Sequence, residues 1–234
     1  MAKKYYLSCV VIIYLIIGLI LGDFFVAFGH WYEDNYLYYD YRSKLPFISN
    51  KINDISKGND LHHYVPRLLT QKSYYSAIMS TAIFIPFIIL IYLCIPGSSN
   101  INNIMIITGI CFMIFISEIA HRWQHYRDCE KNDFIRFLQK TIFVSSEEHS
   151  IHHSTKFVKG SYGVISKQLN KLYDKIGIWD ILEKIIPNKC KKTNHFPNKP
   201  KLDDCPYKMT ENDKNRFRKE LKYIRDDNLV PKCY

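Results

Sequence analysis

The stretch YLSCVVIIYLIIGLILGDFFVAFGH, Tyr6 to His30, decides the class of fold. It is almost wholly apolar, and a helix needs about 20 such residues to cross about 30 Å of hydrocarbon. Two similar stretches follow at residues 76–95 and 101–120, and none of the three contains Lys or Arg. The sequence therefore predicts an all-α integral membrane protein with about three transmembrane helices, at residues 6–30, 76–95 and 101–120.

A signal peptide is the alternative interpretation of the first stretch, because Lys3 and Lys4 precede an apolar run. The run is long for the apolar part of a signal peptide, and no small-x-small cleavage pattern closes it. A membrane span is therefore the favoured interpretation.

The positive charge lies between and after the apolar stretches. The mean hydropathy of −0.16 averages the charged and apolar segments and so conceals the apolar ones. Of 32 Lys and Arg residues, six lie in residues 31–75, none in 76–120 and 24 after that. The positive-inside rule then places residues 31–75 and the C-terminal half in the cytosol. The net charge of +10 is interpreted as charge beside anionic lipid headgroups. No nucleic-acid partner is expected, since the basic residues are mixed with acidic ones and no nucleic-acid motif is present.

The chain is predicted to consist of a membrane domain, residues 1–186, and a basic cytosolic tail, residues 187–234. Within the domain, NDFIRFLQKTIF and NKLYDKIGIWDILEKII each predict an amphipathic helix on the membrane surface. The tail is read as a linker over 187–209 followed by a short charged helix. Because the sequence shows no transit peptide, the expected location is the endoplasmic reticulum.

Seven cysteines are scattered along the chain without a CxxC pair, which excludes a zinc ribbon. An odd number of cysteines in a chain that faces the cytosol predicts free thiols.

Eight of the nine histidines fall into four short clusters. HRWQH has spacing i, i+4, and HSIHH has spacing i, i+3, i+4, so each set shares one face of a helix. The remaining histidine, His195, is interpreted as a solvent residue of the tail. The clustered histidines are His30; His62 and His63; His121 and His125; and His149, His152 and His153.

Taken singly, each cluster has an ordinary explanation as surface or interface histidines. With three spans, however, all four clusters emerge on the cytosolic face, which unrelated surface histidines have no reason to do. Eight imidazoles exceed the four ligands of one zinc ion, and imidazole suits iron as well as zinc. The pattern predicts a histidine-rich helical cap that holds two metal ions with open positions, suited to oxygen activation.

Several carboxylates accompany the histidines. Asp34 lies four residues after His30 and is predicted to be either a ligand or a group that orients imidazoles through their outer ring N–H. Glu118 and Glu148 are further candidates for orienting, with ordinary surface charge as the alternative. Asp23 lies inside the first span, where an acidic residue is a functional-site candidate by default.

Five motifs follow one another over roughly residues 20–186. They are GDFFVAFGHWYED, LHHYVPRLLTQ, EIAHRWQH, EEHSIHH and YGVISKQLNKLYDKIGIWDILEKII. In order and in spacing, these motifs resemble those of the Kua-type lipid desaturases, a family that includes plasmanylethanolamine desaturase, CarF and the plastid phosphatidylglycerol desaturase.

The resemblance implies a membrane di-iron desaturase whose ligands are the eight clustered histidines, supported by Asp34. It implies no catalytic side chain separate from the metal ligands. It also implies that O2 and two electrons are used, the electrons from a b-type cytochrome and its reductase. The implied reaction removes two hydrogens from an alkyl chain next to a phospholipid headgroup, most directly to form the vinyl ether bond of plasmalogens.

This chain departs from animal members at Lys72 and Glu148, where those members have histidine. Plant-type members lack the same two histidines, so the departures concern the substrate rather than the ligand set. Desaturation of an acyl chain in another phospholipid and hydroxylation of a membrane lipid therefore remain alternatives. A degenerate membrane scaffold is the non-enzymatic alternative.

Overall fold

The computed structural model describes residues 2–37, 73–154 and 160–186, together with single residues and short runs between 50 and 71. Within these residues the chain is helical, with one isolated antiparallel bridge between Phe143 and Ser166. A 3-10 turn, Asp128–Glu130, precedes α6. The helices are α1 Ala2–Asn35, α2 Leu68–Gln71, α3 Tyr74–Ala82, α4 Ile85–Leu93, α5 Ile101–Gln124, α6 Asp133–Thr141, α7 Ser146–Ser154, α8 Lys167–Ile176 and α9 Ile178–Ile185.

Three segments are long and apolar enough to cross a membrane: Val10–Asn35, Tyr74–Leu93 and Ile101–Gln124. This confirms the predicted all-α fold with three spans and a histidine-rich cluster. The helices of the first and third spans, α1 and α5, extend beyond the predicted ends, because their last turns are polar and carry no hydropathy signal. The second span is made of α3 and α4, and Pro86 lies in the first turn of α4. The proline has no N–H to continue the hydrogen bonds of α3, which explains the division.

Glycines bring the backbones of α1 and α5 into direct contact. Gly18 and Gly22 form a GxxxG pair on α1, and Gly109 faces them from α5. A Cβ atom added to Gly18 would lie 2.3 Å from the carbonyl oxygen of Ile106, and one added to Gly109 would lie 2.6 Å from the amide nitrogen of Leu19. Small residues at such positions allow close helix packing inside a bilayer. The contact fixes the ends of α1 and α5 next to each other.

The part of the chain that follows α5 and includes α6 to α9, called the cap here, packs on the polar end of α1 through an aromatic core. Trp31 is fully buried and stacks on Trp179 of α9, with ring centroids 6.2 Å apart. Tyr162 and Tyr173 complete the core, and the Trp179 Nε1–H donates to Asp174 Oδ1 at 2.8 Å. The extension of α1 beyond its apolar stretch therefore helps to attach the cap to the membrane helices.

The two predicted surface helices have different outcomes. The first forms a helix, as predicted: α6 begins after Asn132, whose side chain accepts the backbone N–H of Ile135 at 2.9 Å. Its position on the membrane surface stays a prediction. The prediction of one continuous helix over 170–186 is wrong. Gly177 has φ +66, a left-handed conformation that ends α8 and turns the chain into α9. The break directs Trp179 into the core while Ile176 stays exposed.

Asp23 has a structural contact. Its carboxylate is buried, and Oδ2 accepts the backbone N–H of Ser166 at 2.9 Å. Ser166 is the N-cap of α8, so the hydrogen bond joins the first membrane helix to the cap. This hydrogen bond satisfies Oδ2 and lowers the cost of burying an acid inside a membrane span.

Two of the cysteines, Cys94 and Cys111, are free thiols, as expected. Cys129 is disulfide-bonded, so the expectation of free thiols is wrong for that residue. The predicted linker and charged helix of the tail lie outside the described residues.

Candidate metal centre

All eight clustered histidines come together at the cap end of α1 and α5. Among the described residues they form two groups, and within each group the potential ligand atoms all lie within 4.8 Å of one another. The first group contains five histidines: His62, His121, His125, His149 and His153. The second group contains His30, Asp34, His63 and His152. The ligand role predicted for these residues remains a prediction, whereas their proximity is a property of the structure.

The histidines of the two groups lie on four helical segments of the chain. The last turns of α1 carry His30 and Asp34, four residues apart. His121 lies in the last turn of α5, and His125 is the C-cap residue of that helix. The HSIHH motif forms α7, as its spacing predicts. His62 and His63, between α1 and α2, are also helical.

The start of α7 is fixed by a reciprocal pair of hydrogen bonds between Ser145 and Glu148. The Ser145 N–H donates to Glu148 Oε2 at 3.1 Å, and the Glu148 N–H donates to Ser145 Oγ at 3.2 Å. Lys167 and Lys171 each place Nζ 3.2 Å from Glu148 Oε1. These contacts hold the helix that carries three of the histidines against α8.

Glu118, the other predicted orienting carboxylate, is partly buried on α5, one turn before His121. Neither Glu118 nor Glu148 belongs to the two groups found among the described residues.

The five-histidine group is arranged around the Nε2 atom of His149. The Nε2 atoms of His121, His125 and His153 lie 3.1, 3.2 and 2.9 Å from it. A neutral imidazole has one N–H and one lone pair, so four converging Nε2 atoms cannot satisfy each other. Ligands at right angles around an ion with metal–nitrogen distances of about 2.1 Å are about 3.0 Å apart. The spacing therefore fits one ion held by these nitrogens.

Backbone carbonyls aim two of the histidines into the centre. His62 Nδ1 is hydrogen-bonded to the carbonyl oxygen of Asn59, and His30 Nδ1 lies 3.1 Å from the carbonyl oxygen of Tyr162. The Nε2 atoms of both rings are buried without a hydrogen-bond partner among the described residues. A carbonyl bound to the outer nitrogen fixes the tautomer and turns the other lone pair towards a metal.

One carboxylate lies among the three histidines of the second group. Asp34 Oδ1 is 3.0 Å from His63 Nε2, and Oδ2 is 3.0 Å from His152 Nε2 and 3.7 Å from His30 Nε2. The side-chain N–H of Asn59 donates to Oδ1 at 2.7 Å. Asp34 thus contacts the Nε2 atoms, whereas an orienting carboxylate would contact the outer nitrogens. The geometry therefore favours a role as metal ligand for Asp34.

Burial keeps the imidazoles of the first group neutral. It holds the pKa values of His62, His149 and His153 well below their usual range and lowers the pKa of His125 to about 3. The neighbouring imidazoles lower these values further. A metal ligand must offer a lone pair, so a set of neutral imidazoles at neutral pH is prepared for a cation.

Two residues that support the site were not predicted from the sequence. Asn59 contacts both groups, through its carbonyl to His62 and through its amide to Asp34, and nothing in its sequence context indicates this. Tyr162 accepts from His30 through its carbonyl, and its hydroxyl accepts the Asn35 side-chain N–H at 3.2 Å. Every residue has a main-chain carbonyl, so the sequence cannot indicate which carbonyls make such contacts.

Comparisons with known proteins identify the family of the chain. The sequence profile of the lipid desaturase domain matches residues 19–195, a range that includes both groups. A protein of Acanthamoeba polyphaga mimivirus described as a probable fatty acid desaturase is 24% identical over 176 residues, which cover 74% of this chain and 81% of that protein. No solved structure matches the chain.

Proposed function

The chain belongs to the lipid desaturase domain family, and from that premise we propose that it is a membrane di-iron desaturase whose substrate is a phospholipid alkyl chain. The observation that carries the proposal is the convergence of eight histidines and Asp34 in two groups of potential ligands. The membrane helices provide the access to lipid that such a substrate requires.

The donor set fits two irons. Zinc does not change its oxidation state, whereas oxidation of a CH2–CH2 unit by O2 needs a redox-active metal, and imidazole with carboxylate suits iron. The five-histidine group would hold one ion and the group of His30, Asp34, His63 and His152 the other. These sets of five and four ligands would leave positions open for O2. Bound there, the irons would supply the activation of O2.

The preferred substrate is a plasmanylethanolamine, as the resemblance to the Kua-type subgroup implies. The ether-linked CH2–CH2 becomes CH=CH while O2, two electrons and two protons are consumed and two water molecules are released. The two groups lie at the cap ends of α1 and α5, next to the headgroup layer, where the first carbons of an ether chain are within reach. The chain's own residues bind and orient the lipid and hold the ligands, and no separate acid or base is required.

The orientation follows from the distribution of Lys and Arg. Residues 31–75 and everything after the third span face the cytosol, so both groups would lie on that side. A b-type cytochrome and its reductase in the endoplasmic reticulum membrane would deliver the electrons there.

A second candidate is desaturation of a fatty acyl chain. It is favoured by the mimivirus relative, which is described as a probable fatty acid desaturase. The same two groups of ligands would hold the irons, and only the substrate would differ.

Lipid mass spectrometry of cells that lack their own plasmalogen desaturase tests the proposal, with and without this chain. New acid-labile vinyl ether lipids, absent with His152→Ala, would support the plasmanyl substrate. A new acyl double bond without vinyl ethers would favour the second candidate. A lipid that gains oxygen instead of losing two hydrogens would indicate a hydroxylase. An unchanged lipid profile, with the protein inserted in the membrane and free of iron, would contradict an enzyme.

A further inference from the structure

One arginine at the end of the third span has no acidic partner in the part of the chain that the structure describes. Arg67 and Arg127 both pair with Glu130, and Arg136 pairs with Asp133. The guanidinium of Arg122 instead lies over the ring of Tyr74, 4.6 Å from its centroid, and 5.7 Å from that of Tyr126. Aromatic rings thus position the charge, and no carboxylate of the described residues pairs with it.

The hydrogen bonds of Arg122 are also incomplete. Its Nε–H donates to the Tyr126 hydroxyl at 3.0 Å, whereas Nη1 is buried and has no partner among the described residues. A buried donor without an acceptor costs free energy, and more so when it is charged. The residue as a whole is partly exposed and Tyr74 is 46% exposed, so an acceptor can approach from the Tyr74 side.

The surroundings place this charge at headgroup depth. Arg122 lies in the last turn of α5, where Ile101–Gln124 ends as a span. The Trp123 Nε1–H donates to the Tyr74 hydroxyl at 3.3 Å, and that hydroxyl lies 3.1 Å from the Tyr126 hydroxyl. Tyr and Trp concentrate at the membrane–water interface, where their polar tips meet the headgroups. The anions present at that depth are lipid phosphates.

Arg122 is also close to the candidate metal centre along the same helix. It directly follows His121, and His125 is three positions further on, a spacing that puts the Cβ atoms of Arg122 and His125 about 5–6 Å apart. A phospholipid whose phosphate is bound by Arg122 would therefore have its glycerol and the start of its sn-1 chain beside the histidines.

We propose that Arg122 is the headgroup anchor of the site: its guanidinium, held between Tyr74 and Tyr126, binds the phosphate of the phospholipid substrate. This inference rests on the proposed function and adds the substrate feature that is recognised. The planar fork of arginine matches two phosphate oxygens at once, which a lysine ammonium does not. Arg122 would hold the lipid without touching the carbons that react, so its loss is expected to weaken binding rather than slow the reaction.

The test compares two lipids with identical chains, a plasmanyl phospholipid and the alkyl-acyl-glycerol that lacks the phosphate. Full-length protein is equilibrated with mixed micelles of both, and the bound lipids are quantified by mass spectrometry. Wild type is expected to retain the phospholipid preferentially, and Arg122→Gln to lower the ratio of bound phospholipid to bound neutral lipid at least about tenfold. Arg122→Lys should fall between them. Arg136→Gln removes the same charge from an exposed pair and should leave the ratio unchanged.

The binding ratio does not depend on turnover, so this inference and the proposed function can fail separately. An equal loss of both lipids in Arg122→Gln, or an unchanged ratio with normal iron content, would overturn the anchor while leaving desaturation intact. Displacement of the phospholipid by millimolar inorganic phosphate would also overturn it, because the site would then take free phosphate. In the enzymatic assay, Arg122→Gln should raise the apparent KM for the phospholipid at least about tenfold with kcat retained, and should not change turnover of the neutral lipid.

Discussion

Asp34 Oδ2 lies 3.0 Å from His152 Nε2, which joins the end of the first membrane helix to the HSIHH helix. The same carboxylate contacts His63 through its other oxygen, so one side chain links three separate parts of the chain. A buried carboxylate surrounded by the Nε2 atoms of three histidines is a suitable arrangement for a shared cation.

The first prediction concerns Asp34→Asn. The amide keeps the shape of the side chain but removes the negative charge, so the second group should lose its ion while the five-histidine group keeps its own. Iron content should fall from about two to about one per chain, and desaturase activity should be lost. Asp128→Asn is the control, because Asp128 is exposed and its carboxylate pairs with Lys131 on the surface. Two irons retained in Asp34→Asn would contradict a ligand role.

The second prediction concerns His149→Ala. Its Nε2 is the atom around which His121, His125 and His153 converge, so the variant should lose the ion of the first group. Activity should drop by at least about 100-fold, since even residues that only support ligands cost 10- to 100-fold. His195→Ala, at the histidine outside the four clusters, should keep full activity. Membrane insertion and the melting temperature of the metal-free proteins separate loss of the ion from loss of the fold.

The sequence predicts the class of fold and the composition of the site because both depend on residue type and spacing. Apolar runs of span length are recognisable one by one, and the HRWQH and HSIHH spacings place histidines on one helix face. The common face of the four clusters followed from the number of spans. The division into five histidines and three histidines with Asp34 did not follow, because it depends on how α1, α5 and α7 pack.

The sequence does not predict several other features, each for a local physical reason. Helix ends beyond an apolar run have no hydropathy signal, so the apolar stretches predict ends for the first and third spans that come too early. The apolar pattern predicts one continuous helix through Gly177, although its left-handed φ of +66 makes it a helix terminator. Asn59 acts through its main chain and a short amide, and neither leaves a pattern in the sequence.

The third prediction uses two helical glycines with opposite surroundings. Gly109→Ala puts a Cβ atom 2.6 Å from the Leu19 backbone, so α1 and α5 must separate and the two histidine groups lose their alignment. Gly29→Ala meets nothing within 4 Å and should be neutral or stabilising by up to about 1 kcal/mol through helix propensity. Melting temperatures in detergent and iron content measure both effects. Equal stability of the two variants would contradict the close helix contact.

The fourth prediction concerns pH and the ion pair between Arg67 and Glu130. Both guanidinium nitrogens of Arg67 donate to the Glu130 carboxylate at 2.7 Å, and these hydrogen bonds lower the pKa of Glu130 to about 2 from an ordinary 4.5. Because the folded-state pKa is the lower one, the pair stabilises the fold above about pH 4.5, and this contribution is lost as the pH falls towards about 2. The pair is partly exposed, so its contribution at neutral pH should not exceed about 1 kcal/mol.

Glu130→Gln should therefore lower the melting temperature at pH 7, and the difference from wild type should shrink as the pH falls from 4.5 towards 2. Asp133→Asn is the control, since Asp133 is exposed and its pair with Arg136 lies on the surface, where such pairs contribute little. Melting curves of the metal-free proteins at several pH values avoid the separate effect of acid on metal binding. A difference between Glu130→Gln and wild type that stayed constant from pH 7 to pH 3 would show that packing, and not the ion pair, explains the loss.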